Sequence, residues 1–219
     1  LGRPLLEKVV LHNPEPVSLL KIQYRMHEDI MRFPSRWFYH DELEAAPEVK
    51  YRGILDFDTP ASWIDTSELD LQEKAVAEGT GRLNTGEAEL LVRELKNYME
   101  RIGIRRILEE HIDFGVISPY RAQVHYLRHL LKKEPFFRPC RRLITVHTVD
   151  GFQGQERDVI MISLVRANEK GQIGFLRDLR RMNVAITRAR MKLLILGEAV
   201  TLTRHPFYRE LYEYIGGLR

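Results

Sequence analysis

The stretch that decides the fold reads TVHTVDGFQGQERD (145–158), VIMISLV (159–165) and, one loop later, RRMNVAITRAR (180–190). VIMISLV is a continuous apolar run, as expected of a strand buried on both faces. It separates two segments whose residue types suit a single ligand. Gly151 and Gly154 permit a tight turn whose backbone can approach that ligand, and Glu156 just beyond them offers a carboxylate acceptor for a sugar hydroxyl. If Arg181–Arg190 is helical, Met182, Ile186, Ala189 and Leu193 recur at helical spacing and face the core. Arg177, Arg181 and Arg188 then share another face. A guanidinium held on a packed helix is a planar, permanently charged fork for phosphate oxygens, so the stretch suits part of a nucleotide site.

Outward from this centre, apolar runs alternate with helical periodicities. Strands are expected near Leu19–Gln23, Ile54–Asp58, Phe114–Ser118, Leu143–Thr148, Val159–Val165 and Leu193–Gly197. Between them Leu91, Leu95, Tyr98 and Ile102 step at helical intervals, as do Val124, Leu127 and Leu131. The first of these helices has Thr85 as an N-cap candidate and Glu87 and Glu89 in its opening turn. The pattern predicts an α/β fold, a mostly parallel sheet with helices on both faces. Residues 67–84, poor in apolar side chains and carrying glycines, are expected to form a mobile loop. HPFYRELYEY (205–214) reads as a closing helix.

At 219 residues, 44% hydrophobic and 30% charged, the chain can bury a substantial core as one domain. No apolar run is long enough to span a bilayer. Cys140 is the only cysteine, which excludes an internal disulfide and a Cys-rich zinc site and fits a reducing compartment, cytoplasmic or nuclear. The net charge of +3 does not by itself announce a nucleic-acid binder, so the distribution of charge has to decide.

GFQGQERD resembles motif V, and NVAITRAR motif VI, of the superfamily 1 helicases, in the class that includes the nonsense-mediated-decay helicase and senataxin-like proteins. LLKIQYRMHEDIMRFPSRWFYHDEL (Leu19–Leu43) resembles motif IV of the same family. The resemblance runs from about Leu5 to Ile215 and implies a RecA-like domain of the P-loop NTPase type. It implies ATP with magnesium as the substrate. Tyr24 is then expected to stack on adenine, Arg25 to contact the γ-phosphate, Gly154 and Glu156 to approach the ribose side, and Arg188 to act as an arginine finger. Ser118, Pro119 and Tyr120 of SPYRAQ, with Thr148 of motif V, are expected to touch the backbone of a single strand of DNA or RNA. Many members carry GRE where this chain has Gly154–Gln155–Glu156, so a basic group near the phosphates is replaced by a neutral amide.

No GxxxxGK[ST] phosphate loop occurs in the 219 residues, and no acidic pair ends a strand as a magnesium-binding element would. In the resembled family both belong to a first RecA-like domain. The chain is therefore expected to be the second such domain, separated from the first, and LGRPLLEKVV at its start resembles the segment that follows motif III.

Plainer readings accompany several residues. Met26, His27, Phe33, Trp37 and Phe38 are read as packing. His147 is read as a hydrogen-bonded core histidine, with no second ligand at metal spacing. Gln153 is a candidate for orienting the turn through backbone bonds, and Arg190 a second-rank arginine paired with a carboxylate. A non-catalytic nucleic-acid-binding or scaffold module is the alternative to a motor.

Overall fold

The computed structural model describes residues 20–76 and 81–218. In chain order the elements are β1 (Ile22–Gln23), α1 (Glu28–Phe38), β2 (Glu44–Ala45), α2 (Pro47–Lys50), β3 (Ala61–Asp65), β4 (Lys74–Ala75) and β5 (Arg82–Leu83). Then follow α3 (Thr85–Ile102), α4 (Ile104–Glu109), β6 (Phe114–Ser118), α5 (Arg121–Lys133), β7 (Ile144–Thr148), β8 (Arg157–Ser163), α6 (Leu179–Ile186), β9 (Ala189–Gly197), α7 (Ala199–Leu202) and α8 (Pro206–Gly216). Five strands form one parallel sheet in the order β3-β9-β8-β6-β7.

The apolar runs of the sequence are continuous because each strand feeds two cores. In β8, Ile160 and Ile162 enter one hydrophobic layer while Val159 and Met161 enter the other, the two-residue period of a strand sorting them by face. The first layer packs α1, α6 and α8 on the sheet through Phe33, Met182, Ile186 and Phe207. The second packs α3, α4 and α5 through Leu91, Leu95, Ile107 and Leu127. Each such side chain, fully buried, contributes about 1.5–3 kcal/mol. A central parallel sheet between two helical layers is the RecA-like α/β arrangement. Among the described residues no helix is long and apolar enough to cross a membrane.

Several expectations need correction. The strand read at Ile54–Asp58 is irregular, with Phe57 at φ 59°; the strand is Ala61–Asp65, because Asp58 is drawn off to Tyr98 and Lys192 and Pro60 precedes the ladder. β1 is only two residues long and pairs with β2, outside the main sheet. Asn84, not Thr85, caps α3, its side chain accepting from the Glu87 amide at 3.0 Å. Within 67–84 the short pair β4–β5 forms an antiparallel ladder, and Glu73 ties the stretch inward through Arg166 at 2.7 Å. Residues 77–80 of that expected loop lie outside the described residues, as do Leu1–Val10 and the first residue of the Leu19–Gln23 strand.

The most consequential correction concerns 181–190. The helix ends at Ile186, where the Thr187 hydroxyl donates to Asn183 O at 2.8 Å, and β9 begins at Ala189. Ala189 and Leu193 do face the core, but from β9 and not from a helix.

Candidate functional site

Motifs V and VI meet at the amino ends of β8 and β9. The Arg157 amide donates to Arg188 O at 3.0 Å, opening the ladder between the two strands. Gly154 sits at φ +79°, a left-handed conformation open to glycine. Gly151 is required for a different reason: a Cβ there would lie 2.4 Å from the His147 ring. Phe152 anchors the turn, fully buried against the sheet where Gly115 leaves room; a Cβ on Gly115 would meet its ring at 2.8 Å.

On this platform the structure gathers residues from three distant segments. Arg25 Nε forms a hydrogen-bonded ion pair with Glu156, and Arg25 Nη1 donates to Thr187 O at 3.2 Å. Arg188 Nη1 donates to Gln155 O at 3.1 Å and Nε to Val184 O at 3.0 Å, so carbonyls hold its guanidinium without neutralising it. Burial, and then the nearby Arg25 cation, hold Arg188 below the usual arginine range. Tyr24 stays 67% exposed beside this group. Two crowded guanidiniums and an open aromatic ring suit an anionic ligand bearing a planar base.

Other contributors were not singled out in the sequence, except Arg190, whose expected pairing with a carboxylate the structure shows. Arg190, in β9 and not on a helix, donates from Nη2 to Asp113 at 2.9 Å and forms an ion pair with Asp158 at 3.0 Å. It is aimed there because β9 spends one residue more than β8 between the pairs Arg157–Ala189 and Val159–Lys192, a bulge that redirects side chains. Asp113 and Asp158 bond each other's amides at 2.7 and 3.1 Å, and burial pushes the Asp158 carboxyl up. Arg52 donates to Arg25 O from behind. Gln155, not Gln153, orients the turn: it donates to Gly151 O at 3.2 Å and accepts from Arg157 at 2.9 Å. Among the described residues no group of three His, Cys, Asp or Glu could hold a metal.

The expected strand-binding residues lie at the opposite end of the sheet. Ser118 and Thr148 are register partners at the carboxyl ends of β6 and β7. Ser118 is buried, its hydroxyl accepting from the Tyr120 amide at 3.5 Å. Tyr120 is buried too, its ring 5.5 Å from Phe175 and its hydroxyl accepting from Arg166 at 3.3 Å. Outward-facing groups at this turn are therefore Pro119, half-buried, and Arg121, exposed. His147 departs from the expected core histidine: it is half-buried, edge-on to Phe152 at 6.4 Å, with no hydrogen bond among the described residues. Met26, His27 and Phe33 are buried, and Trp37 and Phe38 pack against the core.

Comparison with known proteins identifies the family. The AAA domain family matches residues 1–200. The chain is 38% identical over 203 residues to Probable helicase MAGATAMA 3 of Arabidopsis thaliana, covering 90% of this chain and 24% of that protein. It is 35% identical over 229 residues to an uncharacterized ATP-dependent helicase of Methanocaldococcus jannaschii, covering 98% of this chain and 31% of that one. Helicase sen1 of Schizosaccharomyces pombe is 38% identical over 201 residues, 90% of this chain and 12% of its own. The chain thus spans at most about a third of the length of these relatives. The C-terminal domain of a possible DNA helicase from Lactobacillus plantarum aligns with 80% of this chain and 88% of its own at 13% identity and a TM-score of 0.44. With that family matched over residues 1–200 and helicases similar across nine tenths of its length or more, the chain belongs to the AAA domain family, as a RecA-like domain of the superfamily 1 helicases.

Proposed function

We infer that the chain is the second, C-terminal motor domain of an ATP-dependent helicase and supplies one half of an ATP site. The observation that carries this is the convergence of Arg25, Glu156 and Arg188 at the amino ends of β8 and β9, beside the exposed Tyr24 ring. Repulsion between the two guanidiniums is relieved by a polyphosphate, so the patch fits a nucleoside triphosphate better than a neutral ligand. Tyr24 stacks on adenine, Glu156 accepts from the ribose, Arg25 contacts the γ-phosphate, and Arg188 stabilises the charge that develops during phosphoryl transfer.

The phosphate loop and the magnesium ligands come from a first RecA-like domain, a reading supported by relatives at least three times the length matched here. Because Arg188 reaches across the gap between the domains, their closure and hydrolysis are coupled. Closure also shifts the grip on a single strand of DNA or RNA held through its backbone at Pro119 and Thr148, with Ser118 and Tyr120 packed beneath them.

Arg188→Ala in the full-length protein is expected to cut nucleic-acid-stimulated ATP turnover on the order of 10³-fold with unfolding unchanged. Arg190→Ala is expected to do the reverse: turnover largely kept, stability lowered by about 2 kcal/mol, because Asp158 loses the cation that offsets its partial burial. Steady-state ATPase assays with thermal melts decide between them. The opposite ranking would sink the assignment of the finger.

A further inference from the structure

The modest charge of the whole chain conceals a strong local asymmetry. Residues 121–148 contain seven Lys and Arg against a single Glu, whereas acids outnumber bases 30 to 27 in the rest of the chain, from totals of 34 basic and 31 acidic residues. This segment is α5, the turns after it and β7, the edge strand of the sheet. Arg121, His125, Arg128 and Lys132 recur at i, i+4, i+7 and i+11 along one face of α5, beside the stripe of buried Val124, Leu127 and Leu131. With Arg141 and His147 they line a groove along β7, formed by adjoining hollows of about 540 and 270 Å³ that share Arg128 and His147. No carboxylate lines either hollow.

These cations differ in their bonding from most others on the surface. Arg105, Arg106 and Arg32 each pair with a Glu one helical turn away. Among the described residues Arg121, Arg128, Lys132 and Arg141 have no carboxylate partner. Arg128 is instead mounted on the edge strand, Nε and Nη2 donating to Val146 O at 3.0 and 2.6 Å, and Arg141 donates to Lys132 O at 3.0 Å. Carbonyl partners fix a guanidinium without cancelling its charge, and leave further N–H groups free.

We propose that this flank is a second nucleic-acid contact surface, a groove for the phosphate backbone that continues from the Ser118–Thr148 end of the sheet along the edge of β7. The proposal rests on the nucleic-acid part of the function proposed above and extends it along a flank that motif V reaches only at its Thr148 end. The groove opens at Arg121 and Thr148, where the expected strand track ends, and runs roughly 16 Å along five strand residues. A phosphate chain needs N–H donors and positive charge, which Arg121, Arg128, Lys132 and Arg141 offer at intervals along the groove, above a floor of Leu131, Phe137 and Ile144. An acidic peptide adding as a further strand would need the Val146 carbonyl that Arg128 already occupies.

The test is oligonucleotide binding by the protein carrying Arg128→Gln, Lys132→Gln and Arg141→Gln together, measured by fluorescence anisotropy across a salt series. Affinity for a single strand is expected to fall tenfold or more, on the order expected for three lost phosphate contacts, and the slope of log affinity against log salt to become shallower by about 2. Lys132→Gln with Arg141→Gln alone, which keeps the Arg128 cap on β7, should give an intermediate loss and guards against an unfolded triple variant. Wild-type binding that the variants leave unchanged would overturn the flank while leaving the strand track intact. A wild type that binds polyglutamate and no oligonucleotide would overturn both and assign the groove to an acidic protein.

Discussion

Tyr24 and Arg25 are neighbours in sequence held in opposite ways. The Arg25 amide donates to Gln23 Oε1 at 2.8 Å and its guanidinium to Glu156 and Thr187. The Tyr24 ring has neither a hydrogen bond nor a ring contact among the described residues and is 67% exposed. A free ring stacks on a base equally in the ground and transition states, whereas a placed guanidinium acts where charge redistributes. Tyr24→Ala in the full-length protein is therefore expected to raise KM for ATP with little change in kcat, and Arg25→Ala to lower kcat. Stacking tolerates any base, so GTP and CTP should partly replace ATP; an unchanged KM for all four nucleotides in Tyr24→Ala would make the ring mere surface. At this scale the sequence pointed to the residue types that the fold gathers in one patch, because a Tyr-Arg pair and a Gly-rich turn are local features. It did not show that Gln155 orients the turn, because its partners Gly151 and Arg157 are chosen by the path of the folded backbone.

Helix α3 is joined to the carboxyl end of β8 by a buried acid. Glu87 is wholly buried, accepting from the Ser163 hydroxyl at 2.6 Å and the Val165 amide at 2.9 Å, while its second oxygen has no partner. Those bonds hold Val165 at φ +72°, a conformation that costs a β-branched residue on the order of 1–3 kcal/mol. Burial pushes the Glu87 carboxyl from its ordinary 4.5 to about 7. A raised carboxyl favours the folded state below the unfolded pKa, and that contribution is lost as pH climbs through the folded one. Stability should thus fall between about pH 4.5 and 7 by on the order of 3 kcal/mol from this group. Glu87→Gln should flatten the melting temperature over that window; a slope equal to wild type would show that Glu87 does not titrate there. In the sequence Glu87 read only as a first-turn acid favourable to the helix dipole. Its burial depends on where β8 ends, which lies 76 residues away. The helix read through Arg190 failed similarly, since pairing with β8 from Arg157 onward claims Ala189 for the sheet.

At the scale of the whole molecule, the proposed nucleotide patch and the turn proposed to hold a strand occupy opposite ends of one parallel sheet, separated by the length of its strands. ATP turnover by this chain alone is expected to be no faster than in buffer, because no phosphate loop occurs in its 219 residues; magnesium-dependent hydrolysis by the purified chain would break the two-domain reading. The sequence by itself determined the fold class, since runs such as VIMISLV between helical periodicities leave a two-faced parallel sheet as the way to bury them. It also determined which residue types form the patch, because glycines, arginines and a carboxylate at fixed offsets are properties of short segments. Tertiary structure alone decided the rest. Arg25 and Glu156, 131 residues apart, become an ion pair, Arg190 is turned onto Asp113 and Asp158 by a bulge, and cations dispersed over 121–148 line one groove. Each of these depends on strand order and register, which arise from pairing between segments distant in the chain and leave no trace in the spacing of residues within any one of them.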